Sequence, residues 1–133
     1  MNHIILGPGE GRSYVCGPMH AVFKADGLET DSKYSVSEWT VAPYSAGPGV
    51  HSHEHSDEVF VVTGGTMSVR VGEQWVEAKT GAFILIPAGL KHDFENRTDA
   101  PATVLNLYIP GEFESMMPGI VEWYAKTSGT SSR

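Results

Sequence analysis

Three of the chain's six histidines fall at every second position of one short run, His51-Ser52-His53-Glu54-His55, and two carboxylates, Asp57 and Glu58, follow at once. In an extended backbone, alternate side chains point to the same side. The imidazoles of His51, His53 and His55 can therefore converge on one point. Glu58 has the opposite parity and joins them only if the chain turns first. The polar stretch Glu54-His55-Ser56-Asp57 permits that turn. Neutral imidazoles with a carboxylate are ligands for a first-row transition metal. A solvated histidine-rich loop has the same composition, so a second chemical stretch is needed to decide.

That stretch is Gly81 to Asn96, where Gly81, Pro87, Gly89, His92 and Asn96 stand at fixed offsets around an apolar strand. Together the two stretches resemble the two signature motifs of the cupin superfamily. The first motif reads His51, His53, Glu58 and Gly65. The second is matched at every position, and fifteen residues, Thr66 to Thr80, separate the two. One position departs from the pattern. The glycine that usually opens the first motif is Ser45 here. Gly47 takes that place only if His53 and His55 form the histidine pair, which leaves two residues before Glu58. The longer gap after His53 leaves room to turn and favours His51 with His53. His55 stays open as the alternative ligand.

The resemblance implies a site made of His51, His53, Glu58 and His92, holding one divalent transition metal ion per chain: iron, manganese, nickel, cobalt, copper or zinc. Such a ligand set leaves one or two positions open on an octahedral ion, as catalysis requires. Closed structural sites commonly use cysteine, and the only cysteine, Cys16, is far from the motifs in sequence. Glu58 is also a candidate catalytic base, with burial expected to raise its pKa if it leaves the metal. Trp39, Phe60, Met67, Phe94 and Tyr108 are candidates to line a substrate pocket. The segment Pro110-Gly-Glu-Phe-Glu114 resembles the ending of bacterial cupins similar to quercetin dioxygenase. The expectation is a metal-dependent dioxygenase or related oxidoreductase acting on a small phenolic or enolic compound. The alternatives are a metal-dependent isomerase, cyclase or lyase of the same fold, or a non-enzymatic small-ligand-binding module. Fold alone does not choose among them.

The elements that must position these residues are short strands. Fifteen glycines and eight prolines punctuate alternating and continuous apolar runs, the pattern of an all-β chain with many turns. A single-domain jelly-roll β-barrel with a short C-terminal helical segment is expected. Residues 1–33 read as an N-terminal extension with possible edge strands at Ser13–Cys16 and Met19–Lys24. Residues 34–110 read as the barrel. Within it, Glu58–Thr63 and Ala82–Ile86 are rich enough in apolar residues to be buried strands, and Gly72-Glu73 joins a hairpin. Residues 111–126 read as a helical cover, split by Pro118-Gly119, and 127–133 as a disordered tail.

A net charge of −7 argues against nucleic acid or an anionic membrane as partner. The first ten residues have no basic region before their short apolar run, unlike a signal peptide. The cytoplasm is the expected location, and a lone cysteine fits its reducing conditions. A small barrel has strand edges to protect. A homodimer covered by the N-terminal segment and the C-terminal helix is expected.

Overall fold

A computed structural model describes residues 2–131, with side chains through residue 127. Nine strands run β1 (Arg12–Cys16), β2 (Met19–Ala25), β3 (Ser35–Val41), β4 (Asp57–Gly64), β5 (Thr66–Val71), β6 (Gln74–Lys79), β7 (Phe83–Ile86), β8 (His92–Glu95) and β9 (Ala102–Ile109). A short helix α1 (Gly27–Thr30) follows β2. A 3-10 turn (Glu114–Met116) leads into helix α2 (Met117–Ser131). The strands form two antiparallel sheets, one of order β1-β2-β3-β9-β4-β7 and one of order β6-β5-β8. This is the jelly-roll arrangement expected of an all-β chain. Two single bridges, Ser45–Asn96 and His51–His92, carry the loop after β3 alongside β8.

Period-two alternation builds the interior. In β3, Ser35, Ser37, Trp39 and Val41 point inward and are buried, and the residues between them are not. In β4 the inward set is Glu58, Phe60 and Val62. Phe23, Trp39, Phe60, Met67, Val69 and Phe94 form the centre of one continuous core. Each such side chain contributes about 1.5–3 kcal/mol on burial. The β5–β6 hairpin turns at Gly72-Glu73, where Val71 pairs with Gln74 and Gly72 takes a φ of +62°.

Three sequence expectations are corrected. Both strands expected in the 1–33 extension form and β1 is an edge strand, but β2 is not, because it lies inside the larger sheet and buries Met19, Ala21 and Phe23 in the core. Its alternation is weak in sequence because the outward residues are mixed. Pro118-Gly119 does not split the last helix. Pro118 sits in its first turn, where a missing N–H costs nothing. The helix then continues to Ser131, through the first part of the expected tail, since each added residue of an existing helix adds a hydrogen bond. The rest of that tail, 132–133, lies outside the described residues. Among the described residues, no helix is long and apolar enough to cross a membrane.

The C-terminal segment is tied down by charge. Arg12 Nε meets both carboxylate oxygens of Glu114 at 2.9 and 2.8 Å, and Tyr14 donates to Glu114 at 2.6 Å. Asp26 Oδ1 accepts from the amides of Phe113 and Glu114 at 2.8 and 3.1 Å. These contacts fix Phe113 against the sheet, with its ring 6.3 Å from Phe23.

Candidate metal centre and its cavity

His51, His53, Glu58 and His92 come from three different places in the chain and meet at one end of the interior. Their ligand atoms lie within 4.8 Å of one another, so the cluster can hold one metal ion. His51 lies on the loop after β3, held to β8 by reciprocal backbone bonds with His92 of 3.0 and 2.8 Å. The loop lies so close to β8 that a Cβ on Gly47 would stand 1.8 Å from the Phe94 carbonyl oxygen. His53 precedes the turn into β4. Its carbonyl accepts from the Gly89 amide at 2.7 Å, and Asp57 accepts from the Ala88 amide at 2.8 Å. The Pro87-Ala88-Gly89 turn is thus docked on the histidine loop. That docking gives the second motif's spacing a physical reason. It places His92, at the start of β8, opposite Glu58, at the start of β4.

Backbone carbonyls set the tautomers. His51 Nδ1 is 2.6 Å from the Gly49 carbonyl, and His92 Nδ1 is 2.9 Å from the Leu90 carbonyl. A carbonyl only accepts, so each Nδ1 carries a proton and each neutral ring turns the Nε2 lone pair to the centre. His92 Nε2 and His53 Nε2 stand 2.8 and 2.9 Å from Glu58 Oε1. A carboxylate oxygen facing a bare imidazole lone pair at 2.8 Å needs a positive centre between them, either a proton or a metal ion. The donor set therefore fits a transition metal.

Asn106, on β9, completes the site. Its amide donates to Glu58 Oε2 at 2.6 Å, and the residue is buried. It was not singled out from sequence. The signal was there: Asn106 interrupts the apolar run of β9 at the parity of Ala102 and Val104, both wholly buried. Glu58 feels burial first, which pushes its carboxyl up. The hydrogen bonds from His53, His92 and Asn106 outweigh burial and hold it at about 2. In contact with the two imidazoles and the Asn106 amide, Glu58 is held below its ordinary value despite burial. Burial lowers His51, and the neighbouring imidazoles add to that against the Gly49 carbonyl. Burial also lowers His92, but its bonds to Glu58 and Leu90 carry it above the ordinary imidazole value.

His55 lies apart from the cluster. Its side chain is 90% exposed and its nearest charged partner is Glu54 at 3.7 Å. The chain turns after His53, so the next same-face residue points to solvent.

A cavity of about 350 Å3 opens above the cluster. His51, His53, Glu58 and Asn106 form its polar floor, and Met19, Trp39, Phe94 and Phe113 form its walls. Met116, Ile120, Trp123 and Tyr124, from the 3-10 turn and α2, form its far side. Trp39 and Phe94 line this cavity. Phe60 and Met67 are not lining residues; both are packed into the core behind the site. Tyr108 is also outside the lining, and its ring supports His53 edge-on at 5.0 Å. Asn96 shares a strand face with His92, but its amide serves the fold, donating to the carbonyls of Val41 and Ala100 at 3.0 and 2.7 Å.

The Cupin domain family matches residues 37–108 of this chain. An RmlC-like cupin from Shewanella frigidimarina superposes with a TM-score of 0.71 at 14% identity, covering 86% of this chain and 96% of that one. A protein of Thermus thermophilus gives a TM-score of 0.59 at 27% identity, covering 79% and 90%. A sugar phosphate isomerase of the cupin superfamily from Silicibacter pomeroyi gives 0.60 at 26% identity, covering 69% of this chain and 59% of that one. No curated protein sequence matches the chain.

Proposed function

The chain belongs to the cupin family, and we propose that it is a metal-dependent oxidoreductase, a dioxygenase acting on a small phenolic or enolic compound. One observation carries this reading. The cavity that ends on the three-histidine, one-glutamate cluster is walled by aromatic and apolar side chains, and among the described residues no lysine or arginine lines it. Away from the metal itself, a second anionic group on the ligand would meet no lysine or arginine among the described lining residues and would leave water unpaired, at a cost of several kcal/mol. A flat, neutral molecule with adjacent oxygens at one end matches both the walls and the floor. The lack of a lysine or arginine for a phosphate held away from the metal speaks against a sugar phosphate, although a cupin-superfamily neighbour is named as a sugar phosphate isomerase.

A divalent transition metal bound at the cluster supplies Lewis acidity and redox chemistry at its open positions. The chain's own residues do the rest. The Gly49 and Leu90 carbonyls hold His51 and His92 with Nε2 inward. Asn106 fixes the Glu58 carboxylate in its ionised form. Trp39, Phe94 and Phe113 offer apolar aromatic walls to a planar ring, and residues of α2 cover the far side of the cavity.

The test is oxygen uptake by metal-loaded protein across a panel of catechols, flavonols and enediols, repeated without oxygen. Oxygen consumption that His92→Ala lowers at least about 100-fold supports the reading. Turnover that proceeds unchanged without oxygen replaces it with an isomerase, cyclase or lyase. A stoichiometric ligand recovered unmodified replaces it with a binding module.

A further inference from the structure

The loop that carries His51 does not pair with β8 as a regular strand would. It meets β8 at two bridges, Ser45 with Asn96 and His51 with His92. Between them lie five residues of loop, 46–50, against three of β8, 93–95. At the His51–His92 bridge both backbone bonds are exchanged, at 3.0 and 2.8 Å. Two residues further along, a regular antiparallel ladder would repeat that exchange between Gly49 and Phe94. Here it does not. The Gly49 amide donates to Asp93 Oδ1 at 3.0 Å, and the Phe94 amide donates to the same oxygen at 2.8 Å. Asp93 thus intercepts both donors. The Gly49 carbonyl, which the ladder would have given to Phe94, lies instead 2.6 Å from His51 Nδ1. Asp93 is only 7% exposed. Arg70, opposite it on β5, turns away to the Gly72 carbonyl and Glu73 at 2.7 and 3.2 Å, so the carboxylate serves the two amides. Asp93 stands between His92 and Asn96, where the second motif fixes no residue type.

We propose that Asp93 is a positioning residue for the metal centre: through Gly49 it fixes His51 with Nε2 bare and turned to the cluster. The proposal rests on the metal reading of that cluster and not on the dioxygenase reaction. A neutral imidazole keeps its proton on the nitrogen that faces an acceptor. For His51 that acceptor is the carbonyl of a glycine with a φ of +92°, which L side chains rarely adopt. Glycine is also the residue most free to leave such a conformation, and no ladder bond holds it there. Its amide, tied to Asp93, anchors one side of the residue. Its carbonyl, on the other side, then points at His51. Without the anchor, the carbonyl can swing away and the His51 proton can move to Nε2. A proton there occupies the lone pair that a metal needs. His92 takes its own restraint from the Leu90 carbonyl at 2.9 Å, so it does not follow His51.

The experiment reads the ring nitrogens of His51 and His92 by nitrogen NMR in the metal-free full chain at about pH 8, above the ordinary imidazole value of about 6.5. The wild type is expected to carry the His51 proton on Nδ1. Asp93→Asn keeps an oxygen acceptor for both amides and is expected to do the same. Asp93→Ala and Asp93→Val have no acceptor, and valine keeps strand propensity. Both are expected to shift most of the His51 proton to Nε2 while His92 keeps its own on Nδ1. Affinity for zinc and nickel ions, by chelator competition, is expected to fall about 10–100-fold in Asp93→Ala and Asp93→Val, and by less than about 10-fold in Asp93→Asn. Circular dichroism checks each fold. A His51 ring that keeps its proton on Nδ1 in Asp93→Ala and Asp93→Val overturns the proposal. So does a His92 ring that changes along with it, or an Asp93→Asn protein that behaves like Asp93→Ala. Unfolding of both Asp93→Ala and Asp93→Val overturns it too, since the residue would then hold the fold and not the ring. A wild type that takes up no metal removes the metal reading, and the ring proton still decides whether Asp93 sets His51.

Discussion

Replacing Asn106 by leucine keeps the branched heavy-atom shape and removes the hydrogen-bonding amide, so it isolates what that amide does for the site. The amide meets Glu58 Oε2 at 2.6 Å in a buried setting. A hydrogen bond to a buried charge contributes about 1.5–3 kcal/mol. The shift it helps to sustain is of matching size. Glu58 falls from an ordinary 4.5 to about 2, which corresponds to about 3 kcal/mol at 1.36 kcal/mol per unit, shared among three donors. The sign follows from the direction. A depressed carboxyl stabilises the fold above its ordinary value, and that stability is lost as pH falls through 4.5 towards about 2. In the metal-free protein, urea titrations at neutral pH should show Asn106→Leu less stable by about 1–3 kcal/mol. The difference should shrink as pH falls through the same window, because both proteins then carry a protonated Glu58. Metal affinity should drop about 10–100-fold, the usual cost of losing a partner that orients a ligand. Equal stability at neutral pH together with equal metal affinity would refute the argument that Asn106 holds Glu58 ionised and in place.

Other outcomes follow from the same geometry. Metal affinity should fall as pH drops below about 6.5, because bound imidazoles must be neutral; His92, held above the ordinary value, should be the first of the ring pair with His51 to fail, as histidine NMR titrations of the metal-free protein can read. Gly47→Ala places a Cβ 1.8 Å from the Phe94 carbonyl oxygen; it should move the loop that carries His51, costing about 2–4 kcal/mol in thermal unfolding and most of the metal affinity. Phe113→Ala removes one wall of the cavity and should raise KM for aromatic compounds about 2–10-fold, the value of one aromatic pair, with a smaller effect on kcat.

The motifs were legible because their residues are chemically unusual and their spacings are set locally. His51 and His53 follow from strand parity. Gly89 and His92 follow from a turn that must dock on the histidine loop. His55 could not be excluded by parity alone. Only the path of the turn, which sends it to solvent, decides between it and His51. The boundaries of β5, β6 and β9 were equally plain, since glycine or proline brackets each apolar run. What sequence hid was long-range. Met19 and Phe113 reach the cavity from opposite ends of the chain, and both read as ordinary core or cover until the sheet order brings β2 beside β3. Phe60 and Met67 were assigned to the cavity because an inward strand residue can face either the cavity or the core behind it. Parity does not distinguish those two.

The central claim is that His51, His53, Glu58 and His92 together hold one transition metal ion. It is tested most directly by elemental analysis of untagged protein purified without chelator and reconstituted with iron, nickel, manganese, copper, cobalt or zinc. The account predicts close to one ion per chain in the wild type and in His55→Ala, and loss of that ion in His51→Ala and His92→Ala. A wild type that takes up no metal under any of these conditions, or a His92→Ala protein that keeps it, would contradict the account.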